Sequence, residues 1–336
     1  AGKNIELTID IDLQKVSEDA LKAHILSLRE DDGDAEGGAV VVQEVKTGQI
    51  LACASYPTFD PATYSQKYNE LLETDFAPLY NRALQAAYPP GSPYKMVTAI
   101  AAIDSGTIGR WVEIEDKGIY RRFEDVGYTP RCMLYTTAGA THGYVNAMGA
   151  LAVSCNYYFY TVGYRLGSEK LYKWAAALGL TSKTNIELPG EATSFVGNQN
   201  MLYDPDVPID QQYTYKPLIA ANAIRAKIQQ IADERNIEYD SERVDVVVKK
   251  LLDVAVSYST SDEWAYPIRQ ILLYDLNLPE NYIANNYIGN TMSSYIKELQ
   301  WTDNETIMLA IGQSITQVSP IAVARYVSAI ANGGTV

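Results

Sequence analysis

Residues 88–106 read Tyr88-Pro89-Pro90-Gly91-Ser92-Pro93-Tyr94-Lys95-Met96-Val97-Thr98-Ala99-Ile100-Ala101-Ala102-Ile103-Asp104-Ser105-Gly106. Pro89, Pro90 and Gly91 favour turn or extended backbone and cannot continue a helix. Ser92 suits an N-cap and Pro93 the first helical position, where a missing N–H costs nothing. Gly106 stands where a C-terminal glycine stops a helix. The residues between are almost all apolar, which predicts a helix buried on most sides. Lys95 breaks that pattern. It falls three positions after Ser92, so the two side chains share a face. Burial and the positive end of a helix both lower a lysine pKa. A neutral lysine can take a proton from a nearby hydroxyl and make it a nucleophile. The competing reading is a capping serine followed by a snorkelling surface lysine.

Spacing alone does not decide between them, because Ser294-Tyr295-Ile296-Lys297 has it too. There Ile288, Met292, Tyr295, Ile296 and Leu299 form a helical stripe, and Ser294 and Lys297 point away from it. No proline or glycine turn delivers Ser294 directly. This second match is expected on a solvated helix face.

Composition narrows the classes. The chain has 336 residues and a net charge of −14, from 41 acidic and 27 basic residues. That balance argues against broad nucleic-acid binding, which needs a basic footprint. Cys53, Cys132 and Cys155 are widely spaced, and His24 and His142 complete the histidines. The spacing is unlike that of a zinc motif, so neither a Cys/His metal site nor a disulfide scaffold is expected. A Ser-His-Asp triad is disfavoured because neither histidine follows a nucleophile elbow. No signal peptide or transmembrane run is present.

Around the Ser92 turn the pattern alternates between strands and helices. Ile5–Ile9 reads as a strand, and Asp10 or Asp12 caps a helix to about Leu28. Residues 39–45 and 49–54 form a hairpin about Lys46-Thr47-Gly48. Residues 110–143 are turn-rich. Helices are expected over 145–153 and 157–166, and from Ser168 to about Leu178. Three helical stripes between about 195 and 303 predict a helical insertion. Residues 307–313 read as apolar backbone entering a turn. Ser319-Pro320 opens a last helix, followed by a Gly-Gly turn and the first residues of a strand.

Ser154-Cys155-Asn156 supplies a hydroxyl and a carboxamide two positions apart on a tight loop. The hydroxyl can relay a proton and the amide can hold a peptide-like substrate. A helix-end loop satisfying its own backbone is the alternative.

Taken together, these stretches resemble the transpeptidase domain of the penicillin-binding proteins, the class B, monofunctional kind above all. Ser-x-x-Lys is a signature of that family. The resemblance runs in order through Leu7-Thr8-Ile9-Asp10, Lys46 to Ala52, Ser55-Tyr56-Pro57, Tyr88 to Ser92, His142-Gly143, Ser154-Cys155-Asn156, Leu188 to Glu191, Ile311 to Ser314 and Ala329 to Gly334. It breaks across the insertion.

What it implies is an α/β (α+β) fold of the penicillin-binding protein and serine β-lactamase type. A mostly antiparallel sheet is flanked by helices, with an all-helical lobe and Ser92 between them. Residues 1–35 lead in; residues 36–336 form the domain, with the insertion at about 195–303. Ser92 would be the acylated nucleophile and Lys95 its proton acceptor. Ser154 would relay protons toward the leaving group, and Asn156 would bind the donor peptide or a β-lactam. The implied partners are peptidoglycan stem peptides ending in D-Ala-D-Ala, β-lactams, glycosyltransferases, and division or elongation proteins. No cofactor and no nucleic acid are implied. The implied location is the outer side of the bacterial cytoplasmic membrane, through an anchor not in this chain.

One departure stands out. The family's third motif, Lys-Thr/Ser-Gly, follows the Ser-x-Asn loop, whereas Lys46-Thr47-Gly48 precedes Ser92. The third motif is therefore expected beyond Val336, and little acylation is expected of a chain lacking it. Two alternatives stay open: a non-catalytic β-lactam sensor or scaffold, and a serine β-lactamase, for which no glutamate placed for deacylation is evident.

Overall fold

The Asp10 carboxylate opens the first helix by accepting the backbone N–H groups of Asp12 and Leu13, both at 3.0 Å. Helix α1 then runs Ile11–Asp31. The computed structural model describes residues 4–31, 33–258, 261–284 and 286–335. Residues 5–9 do not form the expected strand. Thr8 Oγ1 donates to Ile50 O at 2.6 Å and Asp10 N to Leu51 O at 2.9 Å, after which the chain turns into α1. These isolated bonds do not make a ladder.

Strands β1 (Gly38–Gln43) and β2 (Ile50–Tyr56) pair antiparallel, with Gly38 opposite Tyr56 and Val40 opposite Ala54. Lys46-Thr47-Gly48 lies in the connecting turn, as its residue types predict, with Gly48 at φ +76°. Helix α1 packs on β2, and the last helix, introduced below, packs on β1.

The connection after β2 contains α2 (Tyr64–Glu73) and then the Ser92 turn. Ser92–Tyr94 forms a single 3-10 turn that continues into α3 (Lys95–Asp104). Ser92 is therefore not the N-cap. Gly91 occupies that position, and the serine hydroxyl is not spent on capping. Val97, Ala101 and Ala102 are buried, and α3 packs between two helices from the next part of the chain. Each fully buried side chain of valine size contributes about 1.5–3 kcal/mol.

The turn-rich stretch holds β3 (Ile114–Asp116) and α4 (Met133–Ala138). Strand β4 (Gly143–Val145) pairs antiparallel with β3. Helix α5 (Ala147–Ala152) leads to α6 (Asn156–Leu166) and α7 (Ser168–Ala177). These last two are the neighbours of α3. Ser168 is the first residue of α7, and Gly167 is the cap.

Contacts divide the chain into two compact units, Ala1–Val196 with Ile307–Val336, and Gly197–Thr306. The second unit carries α8 (Gln199–Leu202), α9 (Lys216–Arg235), α10 (Ser241–Ser257), α11 (Ala265–Gln270), α12 (Glu280–Ile283) and α13 (Tyr287–Ile296). The apolar stripes of α9, α10 and α13 meet in its own core, where Ile224, Ile228, Leu251, Met292 and Ile296 are buried. Ser294 and Lys297 are exposed, and Ser294 Oγ donates back to Thr291 O at 2.7 Å. The solvated-face reading of the second Ser-x-x-Lys is correct.

Helix α14 (Asp303–Leu309) takes in the start of the stretch read as apolar backbone. The run Ile307 to Leu309 completes a helix because Asp303 and Glu305 suit its first turn. Back in the first unit, Val318 exchanges backbone hydrogen bonds with Tyr88 at 2.8 and 3.0 Å. Helix α15 (Pro320–Ala331) opens as predicted, with the Ser319 side chain accepting from Ala322 N. Gly333 and Gly334 follow at φ +88° and +112°. The end of the expected final strand, Val336, lies outside the described residues. Among the described residues no helix is long and apolar enough to cross a membrane.

Candidate active site

Four side chains meet where the Ser92 turn faces the loop between α5 and α6. Ser154 Oγ donates to Ser92 Oγ at 3.0 Å. Lys95 Nζ donates to Ser154 Oγ at 2.8 Å, to Ser154 O at 2.8 Å and to Asn156 Oδ1 at 2.5 Å. The fold thus brings together all four predicted residues. It also alters the expected wiring: among the described residues, the hydrogen bonds of Lys95 run to Ser154 and Asn156 rather than to Ser92. Ser154 is the bridge.

Local geometry explains the bridge. Helix α5 ends at Ala152 with Val153 as its C-cap, and Ser154 takes φ +51°, a left-handed conformation that costs a non-glycine residue about 1–3 kcal/mol. The backbone N–H of Cys155 then bonds to Ala150 O at 2.9 Å, closing the helix end. Cys155 Sγ accepts the Tyr158 N–H at 3.4 Å and so caps α6. Ser154 and Asn156 are left on either side of a buried anchor, both turned to Lys95.

Lys95 is 1 % exposed. Burial lowers its pKa from 10.5 to about 8, with Cys132 and Cys155 pulling it partly back up. The Phe159 ring centroid lies 5.8 Å from its Nζ. At pH 7 a lysine with this pKa is neutral about a tenth of the time, against less than about one part in a thousand for an exposed lysine.

A cleft of about 380 Å³ opens over Ser92. Ser154, Asn156, His142, Met133 and Gln313 line it with Ser92. No carboxylate is among its described lining residues.

Beside the cleft lies a cluster that spacing did not reveal. Asp116, Cys132, His142 and Cys155 each offer a ligand atom, all within 4.8 Å of one another. His142 Nδ1 and the His142 backbone N–H approach Asp116 Oδ2 at 2.8 and 3.1 Å, and Gly118 N donates to Asp116 Oδ1 at 2.8 Å. Burial raises the Asp116 pKa, but these hydrogen bonds outweigh it and hold the carboxyl below its usual range. Cys132 and Cys155 lie 4.0 Å apart, sulfur to sulfur. The hydrogen bond between the two thiols lowers the Cys132 pKa, and that same bond together with burial raises Cys155. One carboxylate, one imidazole and two thiols form a zinc-type donor set. A metal held there would tie β3, the start of α4, the lead into β4 and the Ser154–Asn156 loop together. The donors therefore converge in space although the sequence led to no expectation of a Cys/His metal site. The sequence reading rested on short-range spacing, whereas these donors come from four separate segments. Cys155, between Ser154 and Asn156, was the available clue.

A sequence profile described as the penicillin binding protein transpeptidase domain matches residues 38–229. The chain is 30% identical over 202 residues to the peptidoglycan D,D-transpeptidase MrdA of Acinetobacter baumannii, covering 59% of this chain and 28% of that protein. It therefore spans only a part of such relatives. The fold superposes on the crystal structure of Pseudomonas aeruginosa PBP2 in complex with WCK 5153. The TM-score is 0.61 at 22% identity, over 99% of this chain and 52% of the other. PBP2 from Helicobacter pylori, in its complex with MreC, superposes with a TM-score of 0.55 at 19% identity, over 94% of this chain and 41% of the other. With the matched profile covering more than half of its length, this chain belongs to the penicillin-binding protein transpeptidase family.

Proposed function

We propose that this chain carries the catalytic serine of a peptidoglycan D,D-transpeptidase, and that β-lactams acylate the same serine. The observation that carries the reading is the relay from Ser92 Oγ through Ser154 Oγ to Lys95 Nζ, at 3.0 and 2.8 Å.

Ser92 Oγ attacks the carbonyl carbon of the bond between the two terminal D-Ala residues of a donor stem. Its proton passes to Ser154 as Ser154 hands its own to neutral Lys95. The tetrahedral intermediate collapses, the C–N bond breaks, and the departing D-Ala amine takes a proton back along the same relay. An ester on Ser92 remains. The amine of a second stem attacks that ester, forms the cross-linking amide and frees the Ser92 hydroxyl. Asn156 is suited to hold the donor's amide. The developing oxyanion needs backbone donors, for which the Ser92 N–H is one candidate.

That no carboxylate is among the cleft's described lining residues favours slow hydrolysis of the ester over a β-lactamase outcome. We place the protein on the outer side of the cytoplasmic membrane. That the H. pylori PBP2 forms a complex with MreC supports a protein partner of the division or elongation kind.

Intact-mass spectrometry after incubation with benzylpenicillin tests this on the protein in its full natural length, with Ser92→Ala as control and a delayed second reading. A lasting adduct absent from the variant is expected. An adduct that forms and then disappears would move the assignment to a β-lactamase. No adduct at all would leave the scaffold alternative.

A further inference from the structure

We propose that Gly312 is a positioning residue for Ser92, acting through a backbone clamp on Gly91; this rests on the acyl-transferase reading above. Gly91 precedes the nucleophile and holds φ 60°, ψ −144°, a region open essentially to glycine alone. Both of its backbone polar groups are engaged. Its N–H donates to Gly312 O at 2.8 Å, and its carbonyl accepts from Tyr94 N at 2.9 Å. The two glycines meet backbone to backbone.

They are glycines for different reasons. A Cβ added at Gly91 would meet nothing within 4 Å, so only its φ demands glycine. A Cβ at Gly312 (φ +73°) would lie 2.2 Å from Gly91 O, 2.7 Å from Gly91 N and 2.6 Å from Tyr94 Cβ. Two of those atoms are backbone and cannot swing aside as a side chain can. Any added atom at position 312 must push the turn that carries Ser92.

Further ties show that this segment frames the nucleophile. Thr98 Oγ1, buried on α3, donates to Ala310 O at 2.7 Å. The Tyr326 hydroxyl of α15 donates to Pro93 O. Ile311 and Gln313, on either side of Gly312, line the cleft with Ser92. The segment therefore sets where Ser92 Oγ stands relative to Ser154 Oγ, 3.0 Å away. Asn156, His142 and Met133 are carried by other elements, so these docking groups stay in place when the clamp is disturbed.

The test separates the non-covalent dissociation constant from the acylation rate constant, using stopped-flow acylation by a chromogenic cephalosporin. Wild type, Gly312→Ala and Thr98→Val are compared in the full-length protein, with melting temperatures alongside. Misplacing a nucleophile by about 1 Å costs about 100-fold in rate, and that loss is expected for Gly312→Ala with the dissociation constant within about threefold. Thr98→Val removes one tie without adding atoms. It should lower the rate constant about fivefold at unchanged dissociation constant. Unchanged rate constants in both variants, or losses carried wholly by the dissociation constant, overturn the clamp. If Gly312→Ala does not fold, Thr98→Val decides by the same criterion. A wild type that acylates while the variants keep its rate refutes the clamp alone. A wild type that never acylates refutes the acyl-transferase reading and the clamp with it.

Discussion

Two stretches of this chain carry the same Ser-x-x-Lys spacing and sit in opposite physical environments. Ser92 lies in a 3-10 turn at the floor of a cleft, and its lysine is 1 % exposed. Ser294 lies inside α13, returns its hydroxyl to Thr291 O, and is followed by an exposed Lys297. A spacing of three puts two side chains on one face; it says nothing about which face. Burial of the lysine and arrival of a second hydroxyl from Ser154 turn the first pair into a candidate site. The second pair remains a solvated surface.

The sharpest way to break this comparison is to delete each serine. Ser92→Ala should lower β-lactam acylation by more than about 10⁴-fold, and Ser294→Ala should leave it unchanged, as measured by intact mass. The lysines come next. Lys95→Met should cost about 10²–10⁴-fold in the acylation rate constant, and Lys297→Met nothing measurable in the same stopped-flow assay.

The pH dependence sharpens the same contrast. Because the base is neutral Lys95, with a pKa of about 8, wild-type acylation should rise with pH below 8 and level off above it. Stability moves in a related way. The folded chain holds the Lys95 proton less tightly than the unfolded chain, whose lysine keeps its ordinary 10.5. Below about pH 8 the buried ammonium is a full penalty on folding; between about 8 and 10.5 the unfolded state binds the extra proton and this contribution to stability rises by about 3 kcal/mol. The difference between wild type and Lys95→Met in denaturant titrations across that range isolates it.

A smaller effect concerns the strain at Ser154. Ser154→Gly accommodates φ +51° without a Cβ and should stabilise the fold by about 1 kcal/mol while slowing acylation about 10²-fold. Thermal melting and the acylation assay must then move in opposite directions. Smallest for catalysis, Asp116→Asn removes the charged partner of hydrogen bonds to Gly118 N, His142 N, His142 Nδ1 and Cys155 Sγ. It should cost about 1–3 kcal/mol of stability in chelator-containing buffer, and much less in acylation rate than Ser154→Gly.

Much of the local architecture was legible because local chemistry specifies it. Asp10 and Ser319 cap the helices that their residue types announce, and Gly48 turns the hairpin at the decoy Lys46-Thr47-Gly48. Ser92 suits a cap by residue type, but the Pro-Pro-Gly turn puts Gly91 at the cap and Ser92 inside the first 3-10 turn. Residues 307–309 complete a helix that their own pattern does not announce, because a three-residue apolar run has no period of its own. Asp116 and Cys132 were invisible, each standing in a turn-rich stretch with no partner within reach of a motif.

By itself, then, the order of residues determined the candidate nucleophile, its lysine, the Ser-x-Asn loop and the family. Those depend on side-chain chemistry and spacing within a turn or two of backbone. Tertiary structure decided the rest. It placed Ser154 between Ser92 and Lys95, lowered the lysine's pKa by burying it, gathered four metal-type donors from segments up to 39 residues apart, and set Gly312 against Gly91. Each of these is a matter of distance and desolvation between chain segments, which no local pattern encodes.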